Sequence, residues 1–372
     1  MKRKDGKPKA RAKRNLPEFA GGLRDKFPRH ACDEAGQQYK TVSMFSGCGG
    51  MDLGFQGGFE VYGKRYERRP FKIIAAYDNL DDALETYRLN LGDEIENVDL
   101  AKSEARELPA ADVLMGGFPC QDFSSSGPKT GLAGERGQLY TSLVRYMRKH
   151  RPKVVVGENV PHLGRLSGGA YLEKILEDFE AEGYSFKVWN IHCPSYGLPQ
   201  SRRRLFLVGV RDDLSGFPRK PDPTHANSYF TIDQALADLE SIEDEKITNQ
   251  SQYFIASRAT SGGGQGDHTN KRNDVAYCIR ANARGRIQFH YALDRRLTVR
   301  ECARLQSFPD DFVFPFTTQR NLTLIGNAVP PIIGHLVAGS IANFLNGHKE
   351  QGANNICDFR STRNVNQLSL VL

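Results

Sequence analysis

Cys120 stands in the run Gly116-Gly117-Phe118-Pro119-Cys120-Gln121-Asp122-Phe123-Ser124-Ser125-Ser126-Gly127, directly after the apolar stretch Asp112-Val113-Leu114-Met115. A strand that ends in a Gly/Pro turn presents its next side chains at the rim of an α/β sheet, where such folds put reactive groups. A thiol there, flanked by Pro and Gln and followed by hydroxyls, is placed to act as a nucleophile; the plain alternative is a structural cysteine. With an ordinary pKa of ~8.5 it is only a few per cent ionised near neutrality, a cost of about 2 kcal/mol. Loop N–H groups or arginine charge would lower that cost. A second set of residues lies earlier. Phe45-Ser46-Gly47-Cys48-Gly49-Gly50-Met51-Asp52-Leu53-Gly54 follows the apolar run Thr41 to Met44. Glycines at that point let the backbone approach a ligand and aim helix N–H groups at an anionic group. Asp78 closes the next apolar run, where a carboxylate either bonds ribose hydroxyls or caps the helix that follows.

These groups need a scaffold, and the chain supplies one. From Tyr39 onward short apolar runs alternate with amphipathic segments. The expected strands are Thr41–Phe45, Phe71–Tyr77, Val113–Met115, Pro152–Gly157, Phe186–Asn190 and Arg204–Val210. The expected helices carry Ala83, Leu84, Tyr87 and Leu91, then Leu139 to Lys149, then Tyr171 to Glu180. Val154-Val155-Val156 is β-branched throughout, as in a strand buried on both faces. The fold class is α/β: a doubly wound, mostly parallel sheet with a second, smaller, loop-rich domain. The domains are expected as a basic, disordered arm over 1–38, a catalytic and cofactor-binding part over 39–214, and a recognition lobe over 215–291. Helical periodicity returns in 292–346, the C-terminal part of the catalytic domain, before a polar tail over 347–372.

Composition narrows the class. No apolar run approaches the ~20 residues that span a bilayer, and the charged N-terminus is not followed by the apolar core of a secretory signal. Seven irregularly spaced cysteines without a Cys-x-x-Cys pair argue against a disulfide framework and against a zinc site. The reading is cytoplasmic and reduced, with no metal and no membrane. Net charge is +7, partly in Lys2 to Arg14, and arginines recur at 202–204, 280, 284, 286, 295 and 296. A polyanion is the partner such charge favours.

The order of motifs resembles the DNA (cytosine-5)-methyltransferase family, in particular its bacterial restriction-modification enzymes. The resemblance is carried by the Phe-x-Gly-x-Gly-Gly loop, Gly-Phe-Pro-Cys-Gln at Cys120, Glu158-Asn159-Val160 and Gln200-Ser201-Arg202-Arg203-Arg204. It continues through Arg296 to Pro309 and Gly326-Asn327-Ala328-Val329-Pro330. It spans nearly all of 41–346, except the lobe at 215–291. It implies S-adenosyl-L-methionine as cofactor, with Phe45 against the adenine, Ser46, Gly47, Gly49 and Gly50 along the methionine part, Asp78 on the ribose and Asp99 on the adenine amino group. It implies Cys120 as nucleophile, Glu158 at cytosine N3, Arg204 at cytosine O2 with Arg202 beside it, and Asn327 positioning the catalytic loop. Ser43, Asn79 and Ala328 depart from the family pattern, at positions where an acid, an aromatic and a hydroxyl are common.

The implied chemistry is addition of the thiolate at cytosine carbon 6, which turns the ring into an enamine able to take a methyl group at carbon 5. Glu158 follows a buried strand, where desolvation would keep it protonated and able to donate; a structural pair with an arginine is the alternative. A stacked base is closed to attack, so the cytosine must leave the duplex. Gln121, Ser124 and the Ser124–Gly137 loop are expected to close over it, the loop being mobile without DNA. Arg280, Arg284 and Arg286 are candidates for guanine contacts or for phosphates. The expected partner is double-stranded DNA bound by a monomer, with a cognate restriction endonuclease at the same site. The rival readings are a tRNA cytosine-5 methyltransferase on this scaffold, a nicotinamide-dependent dehydrogenase, and a DNA-binding module without catalysis.

Overall fold

The computed structural model describes residues 38–102, 107–119, 139–241, 267–282 and 287–351. Cys120, Gln121, Ser124, the Ser124–Gly137 loop, Arg284, Arg286, the arm up to residue 37 and the tail beyond 351 lie outside the described residues. In chain order the strands up to residue 211 are β1 (Tyr39–Met44), β2 (Phe59–Val61), β3 (Lys64–Tyr66), β4 (Phe71–Asp78), β5 (Ile95–Asn97), β6 (Val113–Gly116), β7 (Val154–Asn159), β8 (Tyr184–His192) and β9 (Arg203–Arg211). Seven of them form one sheet in the order β5-β4-β1-β6-β7-β9-β8, while β2 and β3 make a separate hairpin. The pairs from β5 to β7 are parallel, and β9 runs antiparallel to both its neighbours. This is the doubly wound, mostly parallel sheet expected from the alternating runs.

Alternation along each strand divides the core into two layers. Val113, Met115, Val154, Val156, Phe206 and Val208 face helices α1 (Gly50–Gln56), α2 (Asp81–Asn90), α6 (Val299–Leu305), α7 (Thr318–Asn327) and α8 (Pro331–Gln351). Val42, Met44, Leu114, Val155, Leu205 and Leu207 face α3 (Thr141–His150) and α4 (Ala170–Glu180). A short helix, α5 (Ile232–Leu236), buries Ile232 and Leu236 in the first layer, which Leu239, Ala276 and Ile279 also join. The described parts of 215–291 thus share the core of the sheet. Thr318–His348 is apolar enough by composition to suggest a membrane span, but 72% of its most apolar window is buried inside the protein. It is the core pair α7 and α8, broken at Ala328–Pro330.

Three elements escape the periodicity. The hairpin β2–β3 turns at Tyr62 and Gly63, both at positive φ, with no Asn-Gly or Asp-Gly to announce it. Strand β5 is only Ile95–Asn97, and α7 is rich in polar side chains, burying Asn321, Leu324, Ile325 and Gly326.

Candidate active site

The site lies along the carboxyl ends of β4, β1, β6 and β7, where the parallel strands stop together. After Met44 the chain turns sharply: Phe45 and Gly47 have φ of 56° and Gly49 of 87°. Gly49 is required twice over, by its φ and by Tyr87 and Leu91, whose side chains stand where a Cβ would go. The turn is tied to β4. Ser46 N–H donates to the Tyr77 carbonyl (3.0 Å), and the Tyr77 N–H donates to Ser46 Oγ (3.3 Å). Gly47 N–H donates to Asp78 Oδ2 (2.8 Å), while Leu80 N–H donates to Asp78 Oδ1 (2.9 Å). Asp78 therefore shapes the loop rather than capping α2, whose cap position is Leu80. Burial raises its pKa, against the three backbone N–H groups that favour the ionised form.

Asp99 follows β5, brought next to β4 by the Val98 N–H donating to the Asp78 carbonyl (3.1 Å). It is exposed, and the Lys102 ammonium at 2.9 Å holds its pKa below the usual carboxylate range. Leu80, 43% exposed beside Asp78, is an apolar wall that motif reading passed over. The available signal was an apolar residue at a helix cap, where polar residues are the rule. The groups fit a molecule with a diol and an aromatic base: two carboxylates able to accept, and open apolar surface on half-buried Phe45 and on Leu80. Gly50 packs against the Ala328–Val329 turn, with the Val329 carbonyl where its Cβ would be, so the segment holding Asn327 closes on the Gly loop. Asn327 itself is exposed.

Beneath this loop lies a buried acid. Asp52 accepts from Ser43 Oγ (3.1 Å) and Tyr87 Oη (3.2 Å), and Ser46 Oγ donates to Ser43 Oγ (2.9 Å). Desolvation pushes Asp52 up to about 7. Ser43, at a position where the family pattern commonly has an acid, so spares Asp52 a second buried charge.

On the other side, Glu158 is the penultimate residue of β7. Its Cα partner on β9 is Phe206, and Arg204, two residues on, shares that face. Arg204 Nε lies 2.8 Å from Glu158 Oε1, both side chains about nine-tenths buried. The N–H is not aimed along the oxygen, which is left without a directed hydrogen bond. Burial raises the pKa of Glu158, with Arg204 and then Arg202 pulling it down. Gly117 lies against this carboxylate: a Cβ there would be 3.3 Å from Glu158 Oε2 and 3.9 Å from the Phe45 carbonyl. Asn159 Nδ2 donates to the Phe118 carbonyl (3.1 Å), fixing the last described residues before Cys120.

Arg202 has a different place. Nη1 donates to the Ile279 carbonyl (3.0 Å) and Nη2 to those of Gly326 and Ala328 (both 2.9 Å). Sequence reading set it beside Arg204 among the reactive groups, but its Nη groups are occupied, so it braces the pocket from behind. Burial lowers its pKa to about 10. Arg280 is exposed on the segment that Arg202 holds. The thiols of Cys48 and Cys193 are fully buried and pushed up to about 12, so they are inert.

The model of the C-5 cytosine-specific DNA methylases matches residues 39–280 and 258–343. The Type II methyltransferase M.NgoFVII of Neisseria gonorrhoeae is 35% identical over 323 residues, covering 78% of this chain and 83% of that protein. The Type II methyltransferase M.BspRI of Lysinibacillus sphaericus is 30% identical over 357 residues, covering 82% of each. Among solved structures, a DNA modification methyltransferase encoded in an E. coli prophage superposes with a TM-score of 0.63 at 21% identity, over 82% of this chain and 99% of that one. S. pombe Dnmt2 methyltransferase gives 0.60 at 19% identity, over 84% and 99%. At such identities the superpositions speak for the fold.

Proposed function

The chain belongs to the C-5 cytosine-specific DNA methylases, and from that membership we propose that it methylates carbon 5 of a cytosine within a specific duplex sequence, through an adduct of the Cys120 sulfur with a base swung out of the helix. It is a DNA cytosine-5 methyltransferase of the type II restriction-modification kind. That membership sets aside the dehydrogenase reading of the Gly loop and Asp78. The finer reading covers donor, intermediate and residues. Its main support is Gly117, packed between Glu158 Oε2 and the Phe45 carbonyl. One glycine thereby joins the cofactor loop, the strand leading to Cys120 and the acid. A Cβ there would crowd Glu158 Oε2, at 3.3 Å, while standing in ordinary contact with the Phe45 carbonyl at 3.9 Å.

S-adenosyl-L-methionine, held by Phe45, Ser46, Gly47, Gly49, Gly50, Asp78 and Asp99, would supply a methyl group on an electrophilic sulfonium. The protein's own groups do the rest. Cys120 adds to carbon 6 as thiolate, and negative charge builds on the ring. Glu158, whose pKa burial raises against the pull of Arg204 and Arg202, donates to N3 when it carries the proton and so stabilises that charge. Arg204 stays charged beside it and donates to O2, while Arg202 and Asn327 hold the pocket and the cofactor side in register. Loss of the carbon-5 proton and then of the sulfur frees the product. Unstacking the base costs a few kcal/mol, which contacts from 215–291 and the Ser124–Gly137 loop would offset. The proposal extends to a monomer acting in the cytoplasm, with a cognate endonuclease at the same site.

The test is a trap. A duplex carrying 5-fluorocytosine at the target blocks proton loss, so protein plus donor should give an adduct that survives boiling in detergent. Cys120→Ser should give none. An absent adduct, or one that persists in the variant, overturns the mechanism. Labelled methyl appearing in tRNA and not in duplex DNA would replace the substrate.

A further inference from the structure

Arg280 was open to two readings in the sequence, guanine contact or phosphate contact, and the backbone around it separates them. Ile279 N–H donates to Gln200 Oε1 (2.9 Å), and the Ile279 carbonyl accepts from Arg202 Nη1 (3.0 Å). One residue beyond Arg280, the Ala281 carbonyl accepts from Thr323 Oγ1 (3.1 Å). Gly326 is pressed against the same place, with the Arg280 carbonyl carbon 2.3 Å from where its Cβ would be. Upstream, Ala276 N–H donates to the Pro199 carbonyl (3.0 Å) and Ser201 N–H to the Ala276 carbonyl (2.7 Å). The segment is thus stitched from both sides onto the chain that carries Arg202 and Arg204. Gln200 also donates to Gln306 Oε1 (2.7 Å), and Gln306 donates to the Ala328 carbonyl (2.6 Å), which fixes the stitching polar groups themselves.

The Arg280 side chain is exposed and has no hydrogen bond or ion pair among the described residues. Its Cα is anchored to the same core as the Arg204–Glu158 pair, beside Gly326 and the exposed Asn327. What is fixed is the backbone, which stays stitched to the chain carrying Arg204, at whose pocket mouth an extruded base would enter, whatever the sequence around the target. The chemistry that recurs at the mouth, for every sequence, is the phosphodiester of the extruded nucleotide. We propose that Arg280 is a phosphate clamp: a positioning residue that holds the backbone beside the swung-out cytosine and reads no base. This rests on the functional reading above, because without an extruded base there is no pocket mouth to serve.

The experiment uses the full chain, wild type and with Arg280→Ala or Arg280→Lys, on a duplex carrying the site that wild type methylates, located by bisulfite mapping. Binding is measured between 50 and 200 mM salt, and methylation is compared on duplexes altered by one base pair. Losing one phosphate contact should flatten the slope of log K against log salt by about 0.9, so the deficit of Arg280→Ala shrinks about 3.5-fold across that range. Arg280→Lys should keep most of the slope, and all three proteins should rank the altered sites identically. An unchanged slope in Arg280→Ala, or a changed preference at one base pair, overturns the clamp while wild-type methylation leaves the functional reading intact. A wild type that methylates no duplex overturns both.

Discussion

The cofactor side and the base side of the site each bury a carboxylate, and they surround it with different groups. Asp52, under the Gly loop, is met by Ser43 and Tyr87 hydroxyls, with Glu94 as a further acid touching Tyr87 (3.3 Å). Desolvation raises its pKa to about 7, and the groups that donate to it are neutral hydroxyls. Glu158 is also desolvated, but it faces Arg204 at 2.8 Å, with Arg202 behind. The two sides also differ in how they are built. The cofactor loop is tied by β1 and β4, close in sequence. The base pocket is sewn from chain near residues 117, 158, 204, 279 and 328. A loop that only holds a ligand can rest on neutral groups. A site that must move a proton and stabilise charge needs a fixed cation, and fixing one needs distant chain.

The contrast can be broken most severely at Glu158. Glu158→Gln keeps the shape but cannot supply the proton, so kcat should fall by about 10²–10⁴ with duplex binding little changed. Single-turnover kinetics would show it, and a variant with full turnover would reduce Glu158 to a structural partner of Arg204. The next largest effect belongs to the brace. Arg202→Met leaves the Ile279 and Gly326 carbonyls without this donor, while Ala328 keeps Gln306, and each buried group left unsatisfied costs about 1–3 kcal/mol. Urea unfolding should show that loss. An unchanged midpoint would mean that the stitching contributes no stability.

Asp52 gives the smallest and most diagnostic effect. Its pKa in the folded protein, about 7, stands above its ordinary value of 3.8. The native state therefore holds a proton that the unfolded chain releases between those values. The associated stability is whole below pH ~4 and drains away as pH rises through 7, by up to a few kcal/mol. Asp52→Asn removes the titration, so the stability difference between variant and wild type should grow in the variant's favour from pH 5 to pH 8. Parallel curves would mean that Asp52 is ionised throughout, and the contrast with Glu158 would fail.

Much of this was legible before any coordinates. The Val154–Gly157 run had to be a strand buried on both faces, and a Gly loop after β1 had to sit at a strand end. The hairpin at Tyr62-Gly63 and helix α7 were not legible. The first lacks the usual turn residues, and the second buries Asn321 and Gly326 where periodicity looks for apolar groups. Leu80 was missed because motif reading looked for an aromatic at position 79.

Arg202 and Arg204 mark the boundary between the two kinds of information. Sequence alone determined that three arginines follow Gln200 and Ser201 where a strand was expected to begin, and the family resemblance set Arg202 beside Arg204. Only the tertiary structure decided that Arg204 meets the Glu158 carboxylate while Arg202 meets the carbonyls of 279, 326 and 328. An arginine takes its role from the acceptor opposite it, and here the acceptors arrive from chain as much as 126 residues away.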